Sequence, residues 1–447
     1  MKKKIIYLLI LILIGAVGYW NYFSDEELPD VTNQRIETND AVYENEDYYV
    51  TAKKQTDFLK SKDTFFSFGK VLLLKKDTTM QAEDIALDKD NNMKLRKHII
   101  GDSKSGWHLE SEQMDYLKKE ELITSEEGVK AVDTVKNLSI SGKYFESDSR
   151  VTYIRMRENV TIESSKLKIT GDRGEYTDER KEMVLSGRIK ASGADRDNNP
   201  VEGEFEKLTY NVDTKLITTE DDFSLLYRGV KLSGGRMVVN ETDESFEITE
   251  NVRFEGGGFL IRAEKIERAA GSDVVLIEGP IRGGNDEYSI KAEHGEYHIG
   301  EKKLYLLAPE NQLEITSKKG EVLRGTRIIF DNQANFAEIM SATGVEYQSE
   351  QGVLHTKVIQ YDLAAGEVIL EHPFTFRGPR YESDGREARY KTREKTGFMT
   401  YGYILDKEKN QRIAGDEIRG DRERKYYAAK GNAEMENERY FLKAPEV

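Results

Sequence analysis

Hydrophobic and polar positions alternate along most of the chain, and one ten-residue pattern returns many times. It reads LKITGDRGEY at Leu167–Tyr176 and recurs without a gap as WHLESEQMDY, VEGEFEKLTY, VKLSGGRMVV, FLIRAEKIER, YSIKAEHGEY, EVLRGTRIIF, GVLHTKVIQY, YESDGREARY and QRIAGDEIRG. The third position is apolar at Leu109, Ile169, Leu232, Ile261, Ile290, Leu323, Leu354 and Ile413, with Gly203 and Ser383 as exceptions. The fifth is small in nearly every copy, among them Ser111, Gly171, Gly234, Ala263, Ala292, Gly325 and Gly415. The eighth is mostly apolar (Met114, Leu208, Met237, Ile266, Ile328, Ile359, Ile418), and the tenth is often aromatic (Tyr116, Tyr176, Tyr210, Tyr297, Phe330, Tyr361, Tyr390).

Positions three and five share a face of an extended strand, and so do eight and ten, but the step from five to eight breaks that parity. A face change beside a small residue predicts a β-bulge or corner. A second strand follows each copy, as at Met183 and Leu185, Val275 and Ile277, Leu304 and Leu306, and Val368 and Leu370. From Leu167 onward the copies start about 30 residues apart, the period of stacked repeats too small to bury an apolar face alone. The interval from Tyr116 to Tyr176 is about twice that period, so it holds either a degenerate copy or a different arrangement. The fold class expected is therefore all-β: an elongated open β-jellyroll or solenoid of stacked short antiparallel strands.

The N-terminus departs from this pattern. Lys2, Lys3 and Lys4 precede the apolar run Ile5–Val17, which Tyr19, Trp20, Tyr22 and Phe23 extend before Asp25, Glu26 and Glu27. That reads as one transmembrane helix with a cytoplasmic N-terminus and an exported remainder; a cleaved signal peptide with Ala16 and Gly18 near its site is the competing reading. The division expected is residues 1–23 as cytoplasmic lysines and anchor, 24–46 as a polar tether, and two β regions, 47–195 and 196–447, meeting at the turn Asp195–Pro200.

Of 447 residues none is cysteine, which removes disulfides and thiol catalysis, and the formal net charge of -15 with lysines and arginines interleaved among acids argues against a nucleic-acid partner. Candidate chemistry dissolves on inspection. His294 and His298 flank Glu296, but on a strand the two imidazoles stand about 13 Å apart, too far for one metal. Asp88-Asp90-Asn92 and Asp195-Asp197-Asn199 begin like calcium loops but lack the glycine and distal glutamate, and Gly256-Gly257-Gly258 has no lysine or helix to cradle phosphate. No catalytic residue, metal site or cofactor is expected.

The stretch RENVTIESSKLKITGDRGEY…MVLSGRIKASG, with Asn159-Val160, Ile169-Thr170-Gly171-Asp172 and Tyr176, and its echoes at Asn251-Val252 with Ile261-Arg262-Ala263-Glu264 and at Ile290-Lys291-Ala292-Glu293, resembles the periplasmic bridge proteins of lipopolysaccharide transport, the LptC and LptA/OstA-like families. Ala52 and Trp107-His108-Leu109-Glu110-Ser111 look like the anchored LptC member, and the later copies look like an LptA-like extension. Gly171 stands for the expected alanine and Arg268 for the aromatic of one copy. The resemblance implies a non-enzymatic, inner-membrane-anchored periplasmic carrier. It would bind lipopolysaccharide or a similar amphiphile in an apolar groove and relay it from an ABC transporter, pairing with other β-jellyroll proteins by strand edges. The lipid-binding residues so implied are Leu109, Ile169, Leu232, Ile261, Ile290, Leu323 and Leu354, with Tyr176 and Tyr297 at the rim. The small fifth position would leave room for acyl chains. A filled, structural or adhesive envelope solenoid remains the alternative.

Overall fold

A computed structural model describes residues 35–446 apart from 74–77, 134, 165, 196, 257, 310–311, 332 and 425. The anchor predicted within residues 1–23 lies outside the described residues; among these, no helix is long and apolar enough to cross a membrane. The described chain is all-β, with 38 strands. Two compact units are formed, one running to Ser165 and including Thr170–Met183, the other comprising Lys166–Ile169 and Val184–Val447.

In the first unit, six strands run as a meander, Arg35–Glu44, Tyr48–Phe58, Thr64–Leu73, Thr78–Leu87, Met93–Asp102 and Trp107–Leu117, each antiparallel to the next. Arg35–Glu44 corrects the tether expected over 24–46. It is exposed at nearly every position, so it carries no alternation in hydropathy, and Ala41 is its one buried residue. Each long strand belongs to two ladders at once. The first half of Trp107–Leu117 pairs with Val129–Asp133 and its second half with Leu122–Ser125. Leu138–Gly142 and Tyr144–Asp148 continue the two ladders separately, and Tyr153–Glu163 spans both again.

The second unit repeats this logic. Pro200–Asn211, Phe246–Gly256, Phe259–Arg268, Phe336–Ser349, Gly352–Asp362 and Thr396–Asp406 each span two ladders, and strands of four or five residues fill the intervals. The short antiparallel strands expected are present but alternate with longer ones, because many strands run straight through the corner.

The corner falls where the parity break predicts it. Buried residues along Phe259–Arg268 switch from Ile261 to Ile266 and Arg268, and along Trp107–Leu117 from Trp107 and Leu109 to Met114 and Tyr116. The extra residues sit on the preceding strand. Lys97 and His98 face Glu112 alone, and Glu250 and Asn251 face Glu264 alone, all four bulge residues having positive φ. Left-handed backbone favours asparagine among residues with a side chain, which gives Asn159-Val160 and Asn251-Val252 a physical reason: the asparagine turns the corner and the valine after it is buried.

The repeat also starts earlier than the sequence pattern suggests. Thr78–Leu87 places Met80, Ala82, Ile85 and Leu87 at positions three, five, eight and ten, all buried. The long interval before Tyr176 holds a copy at Leu138–Ser147, whose tenth position is the buried Ser147 rather than an aromatic, its hydroxyl donating to the Tyr153 carbonyl at 2.5 Å.

Candidate functional site

Third positions of successive copies align across the ladders into one row. In the second unit it runs, partner by partner, Leu232, Phe254, Ile261, Gly283, Ile290, Ile315, Leu323, Tyr347, Leu354, Phe376, Ser383, Ile404, Ile413, Met435, Leu442. The first unit has its own row through Val50, Val71, Met80, Gly101, Leu109, Ala131, Ile140 and Ile162. The eighth positions make a parallel row on the other side of the corner, through Ile328, Ile339, Ile359, Leu370, Ala388, Met399, Ile418 and Ala429 towards the C-terminus.

Between the rows lies the corner, and the small fifth positions do not leave it empty. A Cβ on Gly234 would stand 2.7 Å from Ile248 Cγ2, on Gly325 2.8 Å from Ile339 Cγ1, and on Gly385 2.7 Å from Met399 Cε. Eighth-row side chains already occupy that volume, so the room expected there for acyl chains is a packed apex.

What varies is the mouth, where first and tenth positions face each other. Tyr48 meets Tyr116 edge-on at 6.1 Å between ring centroids, Trp107 meets Tyr176 at 5.1 Å, and Phe259 meets Phe330 at 5.0 Å. In each pair the first position of one copy reaches the tenth position two copies later. The Tyr48 hydroxyl also donates to the Asn91 carbonyl at 2.6 Å, and burial raises its pKa. These rings close the mouth where they meet, and Leu109, Ile169, Tyr176, Leu232, Ile261 and Ile290 are fully buried.

Aliphatic first positions at Leu138, Leu167 and Val230 also accompany buried third residues, whereas further along the first position is Glu321, Gly352 and Gln411, with Tyr381 between the last two. Here the third row loses its cover. Ile315, Leu323, Tyr347, Leu354, Phe376, Ile404 and Met435 are half-buried and Leu442 is 49% exposed, while Ile413 stays buried. The tenth-position Tyr390 and its row neighbour Tyr427, reached through Gly397 and Gly420, are exposed as well. The eighth row stays buried except at the half-buried Ala388. The outcome is an apolar floor with an uncovered apolar wall, confined to the C-terminal part of the second unit. Tyr347, pushed up to about 12 by burial and by Glu321, stays an uncharged phenol in that wall.

Of the residues expected to touch lipid, Leu232, Ile261, Ile290, Leu323 and Leu354 do share one row, with Leu109 in the corresponding row of the first unit. Leu323, Leu354 and Tyr297 are half-buried. Tyr297 lies edge-on to Phe254 at 5.7 Å. The return-strand members Ile315, Tyr347, Phe376, Ile404 and Met435 escaped the sequence pattern, because only the paired register places them between the motif residues.

Arg268, at a tenth position, fills the aromatic's place as a buried cation. Its Nε donates to the Ser272 carbonyl at 2.7 Å, and Nη1 reaches the Tyr227 hydroxyl and the Glu244 carbonyl at 3.2 Å. The calcium-like stretches are turns: Asp88 Oδ1 accepts the amides of Asp90 and Asn92 at 2.9 Å, and Asp195 Oδ1 those of Asp197 and Asn199 at the same distance. His298 Nε2 lies 3.1 Å from Glu296 on the same strand.

Residues 149–256 match the family described as lipopolysaccharide-assembly, LptC-related. The match takes in both Asn-Val corners and the Leu167–Tyr176 and Val230–Val239 copies, and it runs through the Asp195–Pro200 turn. No curated protein matches the chain.

Proposed function

We propose that the chain is a non-enzymatic carrier of lipopolysaccharide or a similar amphiphile. In this reading an N-terminal anchor holds it in the inner membrane, the β units lie in the periplasm, and an ABC transporter loads it. The observation that carries the reading is the row from Leu323 to Met435, half-buried except at Ile413, above a floor buried except at Ala388. Such a surface suits acyl chains, each methylene removed from water stabilising the complex by about 0.8 kcal/mol.

Relay needs neighbours, and the described chain ends in strands with a free side. Phe441–Glu446 pairs only with Tyr426–Glu436 among the described residues, and it presents Phe441 and Leu442 to solvent. Another β-jellyroll could add a strand there. The alternative of a filled structural solenoid draws support from the roofed stretches, so the test must separate the two.

Native mass spectrometry of the full chain, purified from a host that makes lipopolysaccharide, makes that separation. Lipid A species are expected to co-purify and to be lost in Leu354→Asp and Phe376→Asp, both at half-buried positions where a carboxylate can reach water. A folded, lipid-free wild type would support the filled solenoid.

A further inference from the structure

The outer side of the corner holds a cavity of about 820 Å³, distinct from the interior rows. Leu307, Met340 and Val358 line it, each the outward neighbour of an interior residue, Leu306, Ile339 and Ile359. Pro309 and Ala342 extend the apolar wall, and His294, Arg327, Lys357 and His372 supply nitrogen donors against one acid, Glu293.

The local cause is an unusually wide bulge. Between the pairs Met340 with Val358 and Val345 with Thr356, the four residues Ser341–Gly344 face Lys357 alone, where the corners at Lys97-His98 and Glu250-Asn251 set two residues against one. The charge pattern changes at the same place. Sixth positions of the second unit form an outer ridge that reads Glu206, Gly235, Glu264, Glu293, then Thr326, Lys357, Arg386, before acid returns at Asp416. An earlier basic corner, Lys143, is neutralised by Glu158 at 3.3 Å across its bulge. The bulge facing Lys357 is Ser-Ala-Thr-Gly and offers no carboxylate, and among the described residues Lys357 has no ion pair. Arg327 stacks its guanidinium 4.9 Å over the Tyr305 ring, and its buried Nε has no hydrogen-bond partner. Arg327 lines the cavity, and a guanidinium there is a charge-assisted donor to an oxyanion.

We infer that this ridge cavity is a second binding site, taking the phosphate end of an anionic amphiphile between Arg327 and Lys357 and its apolar body against Leu307, Met340 and Val358. The inference rests on the outer ridge and stands independently of the carrier reading.

The test uses the full chain in lipid nanodiscs and a six-carbon alkyl phosphate bearing a photoreactive diazirine, with labelled peptides located by mass spectrometry. Label is expected on peptides spanning residues 340–358. It should fall about tenfold in Arg327→Gln and in the exposed variant Lys357→Glu, and persist in the interior variant Leu354→Asp. The matching alkyl alcohol is expected to label weakly, and inorganic phosphate to compete poorly. Label unaffected by Lys357→Glu, label confined to interior peptides, or equal labelling by the alcohol would each overturn the proposal. Competition by inorganic phosphate as strong as by the alkyl phosphate would show a free-phosphate site and overturn the amphiphile.

Discussion

The stretch around Trp107 and the stretch from Glu321 to Leu442 are built from the same ten-residue pattern, yet one is roofed and the other is not. Both bury their eighth position, Ala388 alone being half-buried, and both bend at a small fifth residue. They differ at the first position, where Trp107 spans the mouth to Tyr176 and where Glu321, Gly352 and Gln411 provide no ring to do so. A β-sandwich edge closes only if side chains from its two lips meet. A ring pair is thus one way of closing the interior into a core; elsewhere Leu138, Leu167 and Val230 at the first position accompany buried third residues without one.

Four substitutions break or sharpen that contrast. Trp107→Ala removes a fully buried ring and its partner contact, and is expected to destabilise the first unit by about 3–5 kcal/mol in denaturant unfolding. Gly325→Ala drives a methyl into Ile339 at the apex of the uncovered region. A loss of about 1–3 kcal/mol would show the floor as tightly packed there as elsewhere. Glu321→Phe restores a ring at the mouth within reach of the tenth-position row. It is expected to add about 0.5–1.5 kcal/mol and to lower the fluorescence of an apolar dye bound to the chain. Leu442→Ala, on a half-exposed terminal strand, should change stability by less than about 1 kcal/mol. A larger loss there would mean that the C-terminal wall is covered in solution.

Much of this was legible in the sequence, because strand parity is local: third, fifth, eighth and tenth positions declare their faces, and the skipped step between five and eight declares the corner. The mouth pairs were not legible, since Tyr48 with Tyr116 or Phe259 with Phe330 join residues two copies apart and only stacking brings them together. Arg35–Glu44 was hidden because an edge strand exposed on both faces has no hydrophobic period. The small fifth position was correctly seen but misassigned: alternation cannot tell space left for a ligand from space taken by Ile248, Ile339 or Met399. The ridge cavity was equally invisible, since a bulge four residues wide is a property of pairing register.

The central claim is that amphiphile occupies the uncovered stretch and not the roofed one. A photocrosslinking amino acid placed singly at Leu354, Phe376 and Ile404, and at Leu109, Leu232 and Ile261, in cells that make lipopolysaccharide would test it most directly. The account predicts lipopolysaccharide adducts at the first three positions and none at the last three. Adducts at none of the six, or equally at all, would contradict it.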